Sequence, residues 1–339
     1  MSFLNLNRRH FSSLLAASGV ALPWIARSQS LAPAQSRAQT VETLRILCGY
    51  PPGGSVDIVC RKLAEKMTGR YAASAIVDNK PGAAGRISVD ELRRAAADGS
   101  AMLVTPASII TLYPHVYQRL SYNVFEDLAP VSTVAATNFA FCIGPKVPAT
   151  VASIEAFLQW CKREPQAAQC ANAGAGSLPH LMAVLLSRES GVELAHIPYR
   201  GGFAAAQATA AGETAAAFAT ESSSRALHQA GKLRVLATTS DERTVFFPQT
   251  PTFRELRLQM LTQREWFGAF MPARTPTATL EKAADALRAA LQEADTREVW
   301  EKASLVTDIA GPSQMQTRIR REHDFWGPVV KASGFVPES

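Results

Sequence analysis

Residues 44–67 read LRILCGYPPGGSVDIVCRKLAEKM, and this stretch decides the fold class. Leu44-Arg45-Ile46-Leu47-Cys48 is a short apolar run that halts at Gly49, as a buried strand does. Pro51-Pro52-Gly53-Gly54 follows as a tight loop. Ser55 is then placed to cap a helix, because Val56, Val59, Cys60, Leu63 and Met67 recur at three- and four-residue spacing and share one face up to Gly69. Strand, glycine loop and helix form the unit from which parallel sheets are built.

The unit recurs. A strand over 75–77, the loop Pro81-Gly82-Ala83-Ala84-Gly85, a helix over 87–97, the turn Asp98-Gly99 and a strand over 102–104 follow in order. This β-α-β-α-β pattern predicts a parallel sheet that meets its ligand at the carboxyl ends of the strands. A long strand over 131–143, a helix over 154–162 and a glycine-containing loop leading into a helix within 171–186 open a second α/β unit. Segments 203–211, 216–219 and 233–238 extend it. The Ala-rich run 204–217 reads as tight packing of small side chains. A strand over 267–271 ends at Pro272, helices cover 280–294 and 315–331, and no fixed-period repeat is present.

The N-terminus reads as an export signal. Arg8, Arg9 and Phe11 precede a small, apolar run from Leu14 to Ala26, too short for a spanning helix and interrupted by Pro23 and Arg27. The paired arginines fit either a twin-arginine or a general secretory signal. Cleavage after Ala38, behind Ser36-Arg37, leaves 301 of the 339 residues, long enough for two domains. Residues 1–38 hold four arginines and no acid, so their removal takes the net charge from +6 to +2. That balance offers no basic face for nucleic acid. Five cysteines, 48, 60, 142, 161 and 170, lack the spacing of a zinc or redox pair; they read as small buried residues, with one disulfide left open by an oxidising compartment.

Three glycine loops carry the site argument: 51–55, 81–85 and 173–177 (Ala173-Gly174-Ala175-Gly176-Ser177). Glycines ahead of a helix let backbone N–H groups approach an anion, and the helix dipole adds positive potential. Any one such loop is ordinary punctuation; three at the same end of parallel strands point to a shared carboxylate site. The candidate residues are therefore Gly53, Gly54, Ser55, Gly82, Gly85, Ala173, Gly176 and Ser177. Thr105 and Ser108 join them just past a strand on the same edge. Tyr50, Tyr199 and Gly201 are placed to wall the ligand. Asp57 is a candidate too, although an acid in a first helical turn also serves the helix dipole. The scan for nucleophile elbows, phosphate loops, metal-binding histidine pairs and close cysteine pairs is empty, so no catalytic residue, metal or cofactor is assigned. The histidines at 115, 180, 196, 228 and 323 are scattered, and Asp57 and Glu221 are the acids considered for acid–base work.

The order of motifs resembles the tripartite tricarboxylate transporter receptors, or Bug family, over the whole mature length. The matching segments include Pro51-Pro52-Gly53-Gly54 with Asp57, 78–85, 97–99, 126–131, 173–177 with His180-Leu181, 196–202, 231–237, Pro251-Thr252 and 271–273. The resemblance implies an α/β, two-lobed periplasmic-binding-protein fold of the type II, Venus-flytrap kind, with the cleft between the lobes. It also implies a chain that crosses twice, lobe one being 41–140 plus 265–339 and lobe two 141–264. The ligand it implies is a small organic carboxylate held by backbone amides and water near the Pro-Pro-Gly-Gly loop. The implied partners are membrane subunits of a transporter or, alternatively, a membrane sensor, with the receptor itself a monomer. A periplasmic enzyme on the same scaffold is the remaining alternative. The chain departs from the family pattern at Gly49, at Asn123 and at Ala219, where the family carries Pro, Asp and Asp; Glu221 stands two residues beyond the last.

Overall fold

The computed structural model describes residues 41–335, so the signal-like segment 1–38 lies outside the described residues. The chain begins with β1 (Val41–Cys48), α1 (Ser55–Met67) and β2 (Ala72–Asn79), then α2 (Arg86–Arg94), β3 (Ala101–Pro106), and two short helices, α3 (Ala107–Thr111) and α4 (Tyr113–Val116). The 16-residue β4 (Leu128–Ile143) leads through α5 (Ile154–Arg163) to β5 (Gln169–Asn172), α6 (Leu178–Ser190), β6 (Ala195–Pro198), α7 (Gly202–Ala210), β7 (Ala216–Thr220), α8 (Glu221–Gln229) and β8 (Arg234–Thr238). After an irregular stretch come β9 (Arg264–Pro272), α9 (Thr277–Leu291), α10 (Ala294–Lys302), β10 (Val306–Thr307) and α11 (Pro312–Ser333).

The strands follow the order β2-β1-β3-β9-β4-β7-β5-β6. β1 is parallel to β2 and β3, as the β-α-β-α-β reading predicts, but β9 enters antiparallel between β3 and β4. β4 serves two half-sheets. Leu128 to Asn138 pair with β9, and Phe139 to Ile143 pair with β7 and β8. Two irregularities of register, at Pro130/Ser132 and Thr133/Ala135, fall within its pairing to β9, and a further one at Phe141/Cys142 within its pairing to β8; such bulges locally bend and twist a long strand.

Side chains of the first half-sheet alternate between two cores, as a pleated strand buried on both faces requires. Leu44 and Ile46 of β1, Met102 and Val104 of β3, and Phe267, Ala269 and Met271 of β9 meet the α1 stripe and Ala283, Leu287 and Leu291 of α9. Leu47, Leu103, Trp266 and Phe270 face the other way, toward Val89 and Leu92 of α2 and Met315 and Ile319 of α11. Full burial of side chains of this size is worth about 1.5–3 kcal/mol each. The predicted α1 stripe is buried residue for residue.

In the second half-sheet, Ala205 and Ala206 of α7 are fully buried, as are Ala217 of β7 and Ala140 of β4. Gly144 explains how close that layer comes: a Cβ there would lie 2.0 Å from the Thr209 carbonyl oxygen. The Ala-rich run is thus a close-packed layer, divided between a helix and a strand.

Several elements differ from expectation. The helix predicted over 87–97 ends at Arg94, and α9 is followed by the unpredicted α10. β5 and β6 are four residues each, too short to show a period. The expected cap at Ser55 is Gly54 instead; Ser55 is the first helical residue, and its hydroxyl is used elsewhere. All five cysteines are buried and free.

Candidate functional site

A cavity of about 330 Å³ opens where the two half-sheets meet. Tyr50, Gly54 and Ser55 reach it from the β1–α1 turn, Ala173 and Ser177 from the β5–α6 turn, and Arg200, Gly201 and Gly202 from the β6–α7 turn. Thr220 and Ser223 come from the start of α8, and Ser108 and Glu265 from α3 and β9. The N-termini of α1, α6, α7 and α8 therefore converge here, each with unsatisfied backbone N–H groups and the positive end of a helix dipole. Its apolar wall is aromatic, with Phe139, Phe203, Phe218 and Phe267.

Hydrogen bonds cross the cavity between the halves. Ser55 Oγ lies 2.7 Å from Ser222 Oγ and 3.1 Å from Thr220 Oγ1, linking the α1 terminus to the α8 terminus. Tyr117 Oη donates to the Ala175 carbonyl at 2.5 Å, a second link into the 173–177 loop.

Of the residues predicted for the site, Tyr50, Gly54, Ser55, Ser108, Ala173, Ser177 and Gly201 line this cavity. The others do not, each for a definite reason. Gly53, with φ +92°, shapes the turn, and its N–H donates to Asp57 Oδ2 at 2.9 Å. Asp57 also accepts from Arg61 Nε at 2.8 Å and Asn79 Nδ2 at 2.9 Å; it staples the loop to the helix and the neighbouring strand. Burial opposes its ionisation, yet Arg61, Gly53 and Asn79 together hold its carboxyl below the ordinary value. Thr105 is fully buried and outside the lining, its hydroxyl without a partner among the described residues. Gly176 packs against Tyr117 and donates its N–H to His180 Nδ1 at 3.0 Å.

The 81–85 loop does not share the cavity. All four residues from Gly82 to Gly85 have positive φ, and the loop faces a second depression of about 430 Å³ with Gly174, Ala175 and Tyr199. Gly85 instead backs the Tyr50 ring, since a Cβ there would lie 3.4 Å from its hydroxyl oxygen. Tyr199 turns its hydroxyl to Glu213 Oε2 at 3.1 Å and so walls the second depression, not the main one. Two of the three glycine loops thus meet in one cavity, and the third supports it.

The hydroxyls are less free than their positions in sequence suggest. Ser177 Oγ donates to the Gly174 carbonyl at 2.6 Å, so its single proton is spent within the loop. Ser108 Oγ donates to Glu265 Oε2 at 2.8 Å, and Ser108 N to Oε1 at 3.1 Å. What the lining offers an anion is backbone N–H, the Ser55, Thr220 and Ser223 hydroxyls, the Gln207 amide and the Arg200 guanidinium, which is exposed and forms no ion pair among the described residues.

Sequence reading missed two features: the charged pair of the lining and a stacked histidine pair. Arg200 and Glu265 are the two charged residues of the lining, and nothing local marks either. His180 and His196 stack at 3.5 Å behind the 173–177 loop, where burial, and for His180 also the facing ring, lower their pKa values to about 3 and about 4. Ala219 lines the cavity where the family pattern carries Asp. Glu221 does not replace that acid: it is 1 % exposed and accepts from Thr244 Oγ1 at 3.0 Å, away from the lining. Gly49 has a steric reason, because a Cβ there would come within 2.9 Å of the Gly85 backbone. Among the described residues no cluster of His, Cys, Asp or Glu is arranged for a metal, and no helix is long and apolar enough to cross a membrane.

Two half-sheets sharing a long strand, with helix N-termini gathered at a cleft between them, define a two-lobed solute-binding protein. Comparison with known proteins agrees. Residues 59–335 match the model of the tripartite tricarboxylate transporter family receptor, and the chain belongs to that family. It is 28% identical over 326 residues to Protein BugT of Bordetella pertussis, covering 96% of this chain and 98% of that one. A solved structure described as a periplasmic transporter is 27% identical and superposes with a TM-score of 0.82, over 88% of this chain and 99% of the other. An R. palustris protein with adipate shares the fold, with a TM-score of 0.82 at 23% identity, 88% coverage of this chain and 99% of that chain.

Proposed function

We propose that the chain is an exported receptor that closes its two lobes over a small organic carboxylate and delivers it, unaltered, to the membrane subunits of a tripartite tricarboxylate-type transporter. The observation that carries this reading is the convergence of four helix N-termini and of Arg200, which forms no ion pair among the described residues, on a cavity of about 330 Å³. Backbone N–H groups and dipole ends stabilise an anion without a permanent counter-charge, and a cavity of this size suits a small organic acid. The R. palustris relative in fold that holds adipate supports the carboxylate class.

The moving bodies are 41–140 plus 265–339 and 141–264, hinged at β4 and at the stretch leading into β9. Two crossings constrain opening weakly, and the Ser55–Ser222 contact lies across the closure. Residues 1–38 act as the export signal, cut after Ala38; fractionation that finds mature-size protein in the cytoplasm refutes this. The receptor works as a monomer. A thermal-shift screen against a carboxylate library tests the central claim, since a ligand at 100 times its dissociation constant adds about 2.7 kcal/mol of stability. A screen in which amines or neutral solutes stabilise the protein and no carboxylate does refutes it.

A further inference from the structure

The cavity contains one acid, and that acid is nearly out of water. Glu265, on β9, lines the cavity at 4 % exposure. Both its oxygens act as acceptors toward Ser108, at 3.1 and 2.8 Å, and the Ala107 backbone adds a further hydrogen bond. A carboxylate offers about four acceptor positions, so capacity remains after these three. Arg200 lines the same cavity, yet no lysine, arginine or histidine forms a salt bridge with Glu265 among the described residues; Tyr50, Tyr113 and the like-charged Glu322 of α11 act on it electrostatically. The walls are otherwise rich in phenylalanine. A buried acid without a cation is costly to keep ionised unless a partner arrives.

We infer that the bound solute carries, besides the carboxylate held at the helix N-termini, an apolar body and an amine or hydroxyl that donates a hydrogen bond to Glu265. This deepens the carboxylate-receptor reading and rests on it. A second carboxylate beside ionised Glu265, the form that the pH 8 test favours, meets like charge in a poorly screened cavity. An unsubstituted acid leaves Glu265 buried deeper on closure with nothing in return, and a site built around a buried polar group rejects ligands that fail to satisfy it. An ammonium group stabilises the ionised form. Burial lifts the Glu265 carboxyl to about 7, against the Ser108 hydrogen bonds, so both forms are accessible near neutral pH and a cationic donor selects the acceptor.

The test is calorimetry at pH 8 on the mature chain with six-carbon acids: hexanoate, its 2- and 6-hydroxy derivatives, its 2- and 6-amino derivatives, and adipate. A thermal-shift screen with a broader carboxylate library accompanies it. At least one donor-bearing acid should bind about tenfold or more tighter than both hexanoate and adipate, the range of one hydrogen bond to a charged group. Glu265→Gln, checked for folding by circular dichroism, should reduce the advantage of the amine to within about threefold and improve adipate. The inference is overturned if hexanoate or adipate binds as tightly as every donor-bearing acid, or if the ranking survives in folded Glu265→Gln. Should the variant not fold, the wild-type ranking decides. Carboxylates that bind regardless of a donor refute this inference alone; a library in which none binds refutes the proposed function and this inference with it.

Discussion

Replacing Gly54 with valine separates the ligand site from the fold. Gly54 has φ −82° and ψ 170°, a conformation open to any residue, and the nearest atom to an added Cβ is the Pro51 carbonyl oxygen at 3.9 Å. Valine is therefore accommodated without strain. It replaces glycine at the N-cap of α1, where apolar residues are disfavoured, at a cost of about 1 kcal/mol, or a melting shift of about 2 °C for a chain of this size. Because Gly54 lines the cavity, the added methyl groups should deny a carboxylate access to the first amides of α1. Loss of two hydrogen bonds to a charged group, at about 1.5–3 kcal/mol each, weakens binding by about 10²- to 10⁴-fold. Calorimetry with the best carboxylate from the screen, beside circular dichroism, measures both effects. Gly53→Val is the contrast: with φ +92° and nothing within 4 Å, it strains the backbone by about 1–2 kcal/mol but stays off the lining, so it lowers stability more and affinity less. A folded Gly54→Val protein that binds with undiminished affinity places the carboxylate elsewhere and refutes the reasoning.

Ser177→Ala should change affinity by less than about threefold, because the hydroxyl proton is committed to the Gly174 carbonyl; a tenfold loss in calorimetry would show that the hydroxyl turns to the ligand. Burial raises Glu221 from 4.5 to about 7 in the folded protein, despite hydrogen bonds from Thr244 and Asn138. The folded state thus holds this proton more tightly than the unfolded state between those values, and stability falls by roughly 3 kcal/mol as pH rises through the window. Glu221→Gln removes that slope, so urea unfolding at pH 4.5, 6 and 7.5 should show the variant gaining on wild type; parallel curves refute the assignment. Small-angle scattering should give a smaller radius of gyration with a verified ligand than without, and an unchanged radius means that the lobes are closed before binding.

The sequence by itself determined what depends on neighbours along the chain. The strand, loop and helix of 44–67, the buried stripe of α1, the parallel pairing of the β-α-β-α-β segment and the small-residue layer around α7 were all legible, because periodicity and glycine placement act over a few residues. The turns carrying Gly54, Ser177 and Gly201 were legible for the same reason. Tertiary structure alone decided which of the glycine loops share a cavity, since that depends on how β4 bends and where β9 inserts between β3 and β4. It decided that Ser55 reaches Ser222, 167 residues away, and that Glu265 meets Ser108, 157 residues away. It also decided that Arg200 borders both the cleft and the second depression, while Tyr199 beside it lines the second depression alone. The physical reason is that burial and hydrogen-bond partners belong to the packed chain: a glutamate in a strand pattern looks the same in sequence whether water or a ring of phenylalanines surrounds it, and only packing gives it a cavity to face.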